Sequence, residues 1–329
     1  MSAYDKVQRE MNKIGPLGKS MHSELLQLRP MRKLLLNSSC TQAHLSAASG
    51  MWIAGQTLYV VADDELVLGM FSMQDSKPGQ ALTIIPGELP NEAKLRKAAK
   101  PDFESLTYLP SCARHPYGAL LALGSGSTEQ RKRGMLWLFD AQQQLVGKPQ
   151  LFDLQALYQP LEQVFADLNI EGVVIQGDCL KLWQRANNQH RANAVIEYNL
   201  ADLYAVIMEN SNTLTLEPQR IDYYDLGEVA GVPLTFTDAY ALEDGACVFT
   251  AAAENTDNSY LDGECVGAAI GLIDAQRQLR WLKPVQPVYK LEGISAKQVD
   301  QQLRVYLVSD ADNPEIPAQL LETYINYSL

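Results

Sequence analysis

Beyond residue 30 the chain shows almost no helical spacing of apolar positions. Short runs rich in Val, Leu, Ile, Tyr and Trp alternate with polar, often Gly-bearing turns, the rhythm of strands joined by hairpins. Two stretches, Ser49–Asp64 and Glu171–Ala186, overlie each other without a gap. Each runs from a marker residue through an apolar triplet to a turn, Gly55-Gln56 or Gly177-Asp178, and into a second strand. Glycine suits such a tight turn because it takes up positive φ at no steric cost. Three further segments repeat the pattern with small changes of length. Phe103–Leu106 leads into Ala119–Leu123, Thr237–Leu242 into Cys247–Phe249, and Leu291–Ile294 into Leu303–Val308.

The markers Ser49, Glu104, Glu171, Asp238 and Glu292 are separated by 55, 67, 67 and 54 residues. A repeat of that size holds about four strands and matches one blade of a propeller with long loops. The fold class is therefore all-β, a five-bladed β-propeller, with six blades possible and a β-sandwich pair as the alternative. The last repeat is one strand short, and the run Arg32–Leu36 before the first repeat can supply that strand and close the ring. Residues 1–30 read as an N-terminal extension with a short helix, and 31–329 as a single propeller domain.

Equivalent positions in equivalent blades point the same way, so Glu104, Glu171, Asp238 and Glu292 should converge on the channel axis, with Ser49 in the fifth place. At about 6 Å and an effective dielectric near 20, neighbouring carboxylates repel by roughly 2–3 kcal/mol. Either some are protonated or a cation sits among them, and an all-oxygen ring suits Ca²⁺ ahead of Mg²⁺. These four are the candidate metal ligands. The equally weighted reading is structural: channel acids can bind backbone amides of the next blade without any metal.

Strand order places the loops between second and third strands around the same mouth of the channel. They are Asp63-Asp64, Gly124–Gly134, Arg185–Arg191, Glu254–Gly263 and Ser309–Glu315. Long polar loops on a rigid scaffold are where binding usually resides. Arg131, Lys132, Arg133, Arg185 and Arg191 belong to two adjacent blades; Asp63, Glu254, Asp257, Asp262, Asp310 and Asp312 belong to the others. Such a basic sector suits a small phosphate- or carboxylate-bearing ligand, held by Ser125, Ser127, Arg131, Arg133, Arg185 and Arg191. Taken alone, the Gly-Ser loop reads as a connector and the Arg-Lys-Arg run as solvated surface.

The remaining chemistry narrows the field. Lys+Arg 27 against Asp+Glu 39 gives a net charge of −12, the wrong sign for a general nucleic-acid binder. No apolar run is long enough to span a membrane. The start of the chain lacks a basic segment followed by an apolar stretch, which points to the cytoplasm. Cys40, Cys112, Cys179, Cys247 and Cys265 form no CxxC pair and read as reduced thiols, with Cys179 and Cys247 in the core. The histidines follow no HExxH spacing, and only His190, in a mouth loop, is placed to act as an acid or base. No phosphate-binding GxxxxGK loop and no GxSxG elbow is present.

The phrases Phe103–Leu109, Leu121–Ser127, Asn169–Val173, Phe236–Ala239 and Lys290–Ile294 resemble an uncharacterised family of bacterial propeller proteins. The resemblance runs from about residue 32 to the C-terminus. The repeated Glu-Gly or Glu-Ser step is also distantly similar to phytase-like (esterase-like) propellers and to calcium-activated nucleotidases. That likeness implies an axial Ca²⁺ on Glu104, Glu171, Asp238 and Glu292, and hydrolysis of phosphate esters or anhydrides. Ser49 departs from it by offering no fifth acid. Two functions follow. One is a binding or scaffold propeller whose loop face recognises a small ligand or a protein. The other is a metal-dependent phosphohydrolase in which Asp238 or Glu254 accepts the water's proton and Arg131, Arg133 or Arg185 stabilises charge. The oligomeric state is left open.

Overall fold

The computed structural model describes residues 24–38, 40, 42–209, 216–258 and 263–327. Five sheets stand around one axis, each an antiparallel set of four strands with a short fifth strand added to the fourth sheet, forming a five-bladed β-propeller. The innermost strands are Ala48–Ala54, Phe103–Leu109, Ile170–Gln176, Thr235–Ala241 and Lys290–Val299, one per blade and in ring order. The turns after the first and third of these carry Gly55 at φ +56° and Gly177 at φ +59°, the backbone the hairpin requires. Apolar side chains between the sheets form the core. Trp183 packs edge-on to Phe236, and Phe236 packs edge-on to Phe249, in the cluster between the third and fourth blades.

The closing strand is Arg29–Lys33, which pairs antiparallel with Gln319–Asn326 and completes the fifth blade. It begins three residues before the expected Arg32, and Leu34–Leu36 continue into isolated bridges instead. Leu26–Gln27 lies parallel to the outer strand of the fourth blade, with Leu26 and Leu28 buried. Residues 26–30, expected in an extension, thus belong to the propeller: alternate leucines dock, although the stretch is too short to show periodicity. The rest of the expected extension, residues 1–23, lies outside the described residues. Three short helices, Ala93–Ala99, Gln155–Glu162 and Leu200–Glu209, also interrupt the all-strand pattern. The latter two bury Leu157, Leu161, Leu203 and Val206 between the second and third blades.

Every innermost strand breaks register once. The slips fall between Ala48 and Met51, Phe103 and Ser105, Ile170 and Gly172, Phe236 and Asp238, and Leu291 and Ile294. A bulge of this kind turns one side chain out of the alternation and aims it elsewhere. The bulged residue is Glu104 in the second blade, Glu171 in the third and Thr237 in the fourth. Thr237, not Asp238, is therefore the fourth marker, and Asp238 is the counterpart of Ser105 and Gly172. In the other four blades the following residue, Gly50, Ser105, Gly172 or Gly293, is small because neighbouring strands press close there. A Cβ on Gly50 would lie 2.6 Å from the backbone nitrogen of Leu106, and one on Gly293 2.6 Å from the carbonyl oxygen of Ser49.

The hairpin end of the channel is closed. Trp52 stacks on Tyr108 of the second blade at 5.9 Å and on Tyr240 of the fourth at 5.6 Å between ring centroids. Because the first and fourth blades are not neighbours, the Trp52–Tyr240 contact crosses the axis. The channel is a cup that opens only toward the loop face. Among the described residues no helix is long and apolar enough to cross a membrane.

Candidate functional site

At the loop face the bulged side chains of four blades meet in an axial chamber of about 60 Å³, with Thr237 of the fourth blade outside it. Glu104, Glu171 and Glu292 line it, with Ser49 from the first blade. In three blades the residue two places before the marker adds a second tier: Asp102, Asn169 and Lys290 also line the space. The mouth loops complete the wall with Asp63, Arg131, Arg185, Glu254 and Asp310, so all five blades contribute.

Four cationic side chains are tied to this wall. Lys100, following the helix Ala93–Ala99, pairs with Asp63 and lies 2.8 Å from Asp102 Oδ1. Arg131 donates to Asp102 Oδ2 and to Ser127 Oγ, each at 2.9 Å, while Ser125 Oγ donates to the same Asp102 oxygen. Asp102 itself holds φ +57°, a left-handed conformation fixed by these partners. Arg185 reaches Glu254 Oε2 at 2.6 Å and Glu171 Oε1 at 3.4 Å. Lys290 Nζ contacts four carboxylates: Asp312 at 2.6 Å, Asp310 at 3.3 Å, and Glu254 and Glu292 at 3.7 Å each.

Two acids of the chamber are left over. Glu292 Oε2 is buried with no hydrogen-bond partner, and among the described residues the Glu104 carboxylate receives no hydrogen bond. Burial, aided by Asp102 and Glu171, pushes the Glu104 carboxyl well above the usual range. Burial does the same to Glu292 against the pull of Lys290 and Arg185. Glu171 is raised by burial, with Arg185 and Lys290 opposing. Burial also opposes ionisation of Glu254, yet Arg185, Lys290 and the Gly263 amide together hold it below its ordinary value. Asp310 is pushed by burial up to about 7. The chamber thus mixes proton-holding acids with ionised, paired ones.

The expected site residues divide accordingly. Glu104, Glu171 and Glu292 converge as foreseen, and Arg185 and Glu254 join them. Asp238 does not line the chamber. Its Oδ2 accepts the Ile294 amide at 2.9 Å, stitching the fourth blade to the fifth, because the single-residue bulge turns Thr237 rather than Asp238 out of the strand. Ser125, Ser127 and Arg131 are brought together, but on Asp102. Arg133 is exposed on its strand, and Arg191 pairs with Glu228 at a separate surface hollow. His190 closes a turn with Asn187 and does not line the chamber. Asp262 lies outside the described residues. Sequence reasoning missed Lys100, Asp102, Asn169 and Lys290, although three of them stand two residues before a marker.

Asp63, Asp102 and Glu104 each offer an oxygen within 4.8 Å of the others, an arrangement that could hold a metal ion. The chain belongs to DUF6929, a family of unknown function, whose description covers residues 44–325. No curated protein matches it. Among solved structures it is similar to the catalytic domain of a GH62 α-L-arabinofuranosidase from Coprinopsis cinerea. They share 10% identity over 91% of this chain and 97% of that one, with a TM-score of 0.48. It is also similar to a glutaminyl cyclase from Myxococcus xanthus (8% identity, 92% and 100% covered, TM-score 0.44). A GH43 endo-arabinanase from Bacillus licheniformis gives 12% identity, 87% and 95% covered, and a TM-score of 0.39. Likenesses this remote carry no activity over to this chain.

Proposed function

We propose that the protein is a binding propeller whose loop-face chamber takes a small ligand bringing positive charge and hydrogen-bond donors. The observation behind this reading is a pair of buried acids short of donors: Glu104, to which no described residue donates a hydrogen bond, and Glu292, whose Oε2 is unpaired while Lys290 stands 3.7 Å from its Oε1. A buried polar atom left unpaired costs about 1–3 kcal/mol, which a ligand supplying the missing donor restores. An anion would meet these same acids, so a cationic group suits the chamber better than the phosphate or carboxylate that the loop sequence suggests.

The simplest occupant is a divalent ion, Ca²⁺ ahead of Mg²⁺ because the donors are all oxygens in an irregular arrangement. Asp63, Asp102 and Glu104 would hold it. The Lys100 ammonium already lies against Asp63 and Asp102, so an ion there must displace it. An organic ammonium needs only the open oxygens of Glu104 and Glu292. The phosphohydrolase reading retains Arg185 and Glu254 in the chamber. Against it, Asp238 binds backbone, Arg131 holds Asp102 and Arg133 faces outward.

The test is the thermal unfolding midpoint of the full chain after chelation, then with Ca²⁺, Mg²⁺ or methylammonium added. A ligand at 100 times its Kd adds about 2.7 kcal/mol, worth several degrees in a domain of this size. A shift abolished by Glu104→Gln, the acid common to the ion and ammonium sites, supports the reading. No shift with any of the three, at concentrations up to tens of millimolar, overturns it.

A further inference from the structure

Outside the chamber, the loops of the first and fifth blades and the helix Ala93–Ala99 enclose a second, larger space of about 600 Å³. It is not separate: Asp63, Lys97, Lys100, Lys290 and Asp310 line both. Together the two spaces carry ten acidic against six basic side chains. The outer space also offers short apolar wall at Ala43, Ala47 and Pro314. Among the described residues no Phe, Tyr or Trp lines either space, so neither is built to stack a flat ring.

We infer that chamber and outer space form one path for an elongated organic cation, a linear di- or polyamine, with its leading ammonium held by Glu104 and Glu292. This deepens the binding reading above and rests on it. The chamber has room for a few water molecules or one ammonium group, not for a larger head. The closed hairpin end stops the ligand from threading through, so its remaining length must lie in the outer space. There, methylenes can run along Ala43, Ala47 and Pro314 while trailing ammonium groups meet Asp310 and the half-exposed Asp312. Lys290, held to the wall by its four carboxylates, lies beside the junction; the entering chain passes it and exchanges with it for Asp310 and Asp312. The unpartnered, buried Glu292 Oε2 marks where the path ends.

Isothermal titration of the full chain with butylamine, 1,4-diaminobutane, spermidine, the neutral hexane-1,6-diol and Ca²⁺ tests this. Affinity should rise about tenfold or more from butylamine to spermidine, with no binding of the diol. Glu292→Gln should weaken every amine. Asp312→Asn, checked for an unchanged fold by its unfolding midpoint because Asp312 also pairs with Lys290, should weaken spermidine about tenfold and spare butylamine. If short and long amines bind alike, or Asp312→Asn spares spermidine, the single path is refuted while the chamber reading stands. If Ca²⁺ binds and no amine does, the occupant is a metal and the inference fails. If spermidine binds but ignores Glu292→Gln and vanishes at physiological salt, it is held by surface charge alone and the inference fails. If no probe binds, both readings fall.

Discussion

Replacing Lys290 by Gln removes the one ammonium that serves Glu254, Glu292, Asp310 and Asp312 at once. At about 3 Å and an effective dielectric near 20, each close contact attracts by roughly 5 kcal/mol before desolvation is counted. Removing one partner from a buried ion pair typically costs about 3–5 kcal/mol, because the opposing charges stay buried and unpaired. For domains of 150–250 residues each kcal/mol moves Tm by about 2–4 °C, so a loss on the order of 10 °C is expected near pH 8. The loss should shrink on acidification. Mutual attraction pushes the Lys290 pKa well above its ordinary value, so the lysine itself does not titrate between pH 5 and 8. Asp310 does, taking up a proton near pH 7, and without Lys290 it and Glu292 will hold protons more firmly still. Near pH 5 the variant faces a neutral Asp310 while Glu254 keeps Arg185 as its partner, so its deficit should be clearly smaller than near pH 8. Calorimetric scans of both proteins from pH 5 to 8 measure the difference directly. A deficit of equal size at both ends of that range would refute the electrostatic account and leave only lost packing.

Asp238→Ala should cost about 1–3 kcal/mol by stranding the Ile294 amide, whereas Asp238→Asn keeps an acceptor and should be neutral or stabilising. Burial already holds the Asp238 carboxyl well above its ordinary pKa, and equal losses in urea titrations of the two variants would contradict that state. Gly50→Ala drives a methyl into the Leu106 backbone and should lose about 1–3 kcal/mol by thermal unfolding. An unchanged midpoint would mean that the strand contact can yield. Asp310 and Glu65 are both raised to about 7, chiefly by burial, and so bind a proton more tightly folded than unfolded. Their contribution is greatest near pH 4 and falls as pH climbs to about 7; denaturant midpoints should be higher at pH 6 than at pH 8. A rise over that interval would overturn the assignment.

The blades were legible because each repeats a strand, a short turn and a strand, and Ser49–Asp64 aligns with Glu171–Ala186 without insertion. Three of the four acids expected on the axis were legible for the same reason. Asp238 was misplaced because Thr237 and Asp238 are both polar, and a one-residue bulge leaves no trace in alternation. The cations Lys100 and Lys290 looked like solvated strand flanks, since only the closed ring carries them to acids on other blades. Arg131 advertised an anion site; its actual partner, Asp102, lies 29 positions earlier and is joined to it by folding alone. The helices Gln155–Glu162 and Leu200–Glu209 escaped notice because each fits within one inter-strand connection, too short for apolar spacing to stand out.

The pairing of Arg29–Lys33 with Gln319–Asn326 sets a timetable for biosynthesis. The closing strand leaves the ribosome before the blades, yet its partner emerges roughly 290 residues later, about 15–60 seconds of synthesis at about 5–20 residues per second. Four blades can form hairpin by hairpin meanwhile, but the ring stays open and the chamber, which draws on the fifth blade for Glu292, Lys290 and Asp310, cannot assemble. Until then Arg29–Lys33 and the edge of the unfinished sheet are free to pair with other nascent chains, the hazard that ring closure removes. A truncation of the last strand should consequently disable the site and the solubility of the chain together, though it touches no residue of the chamber.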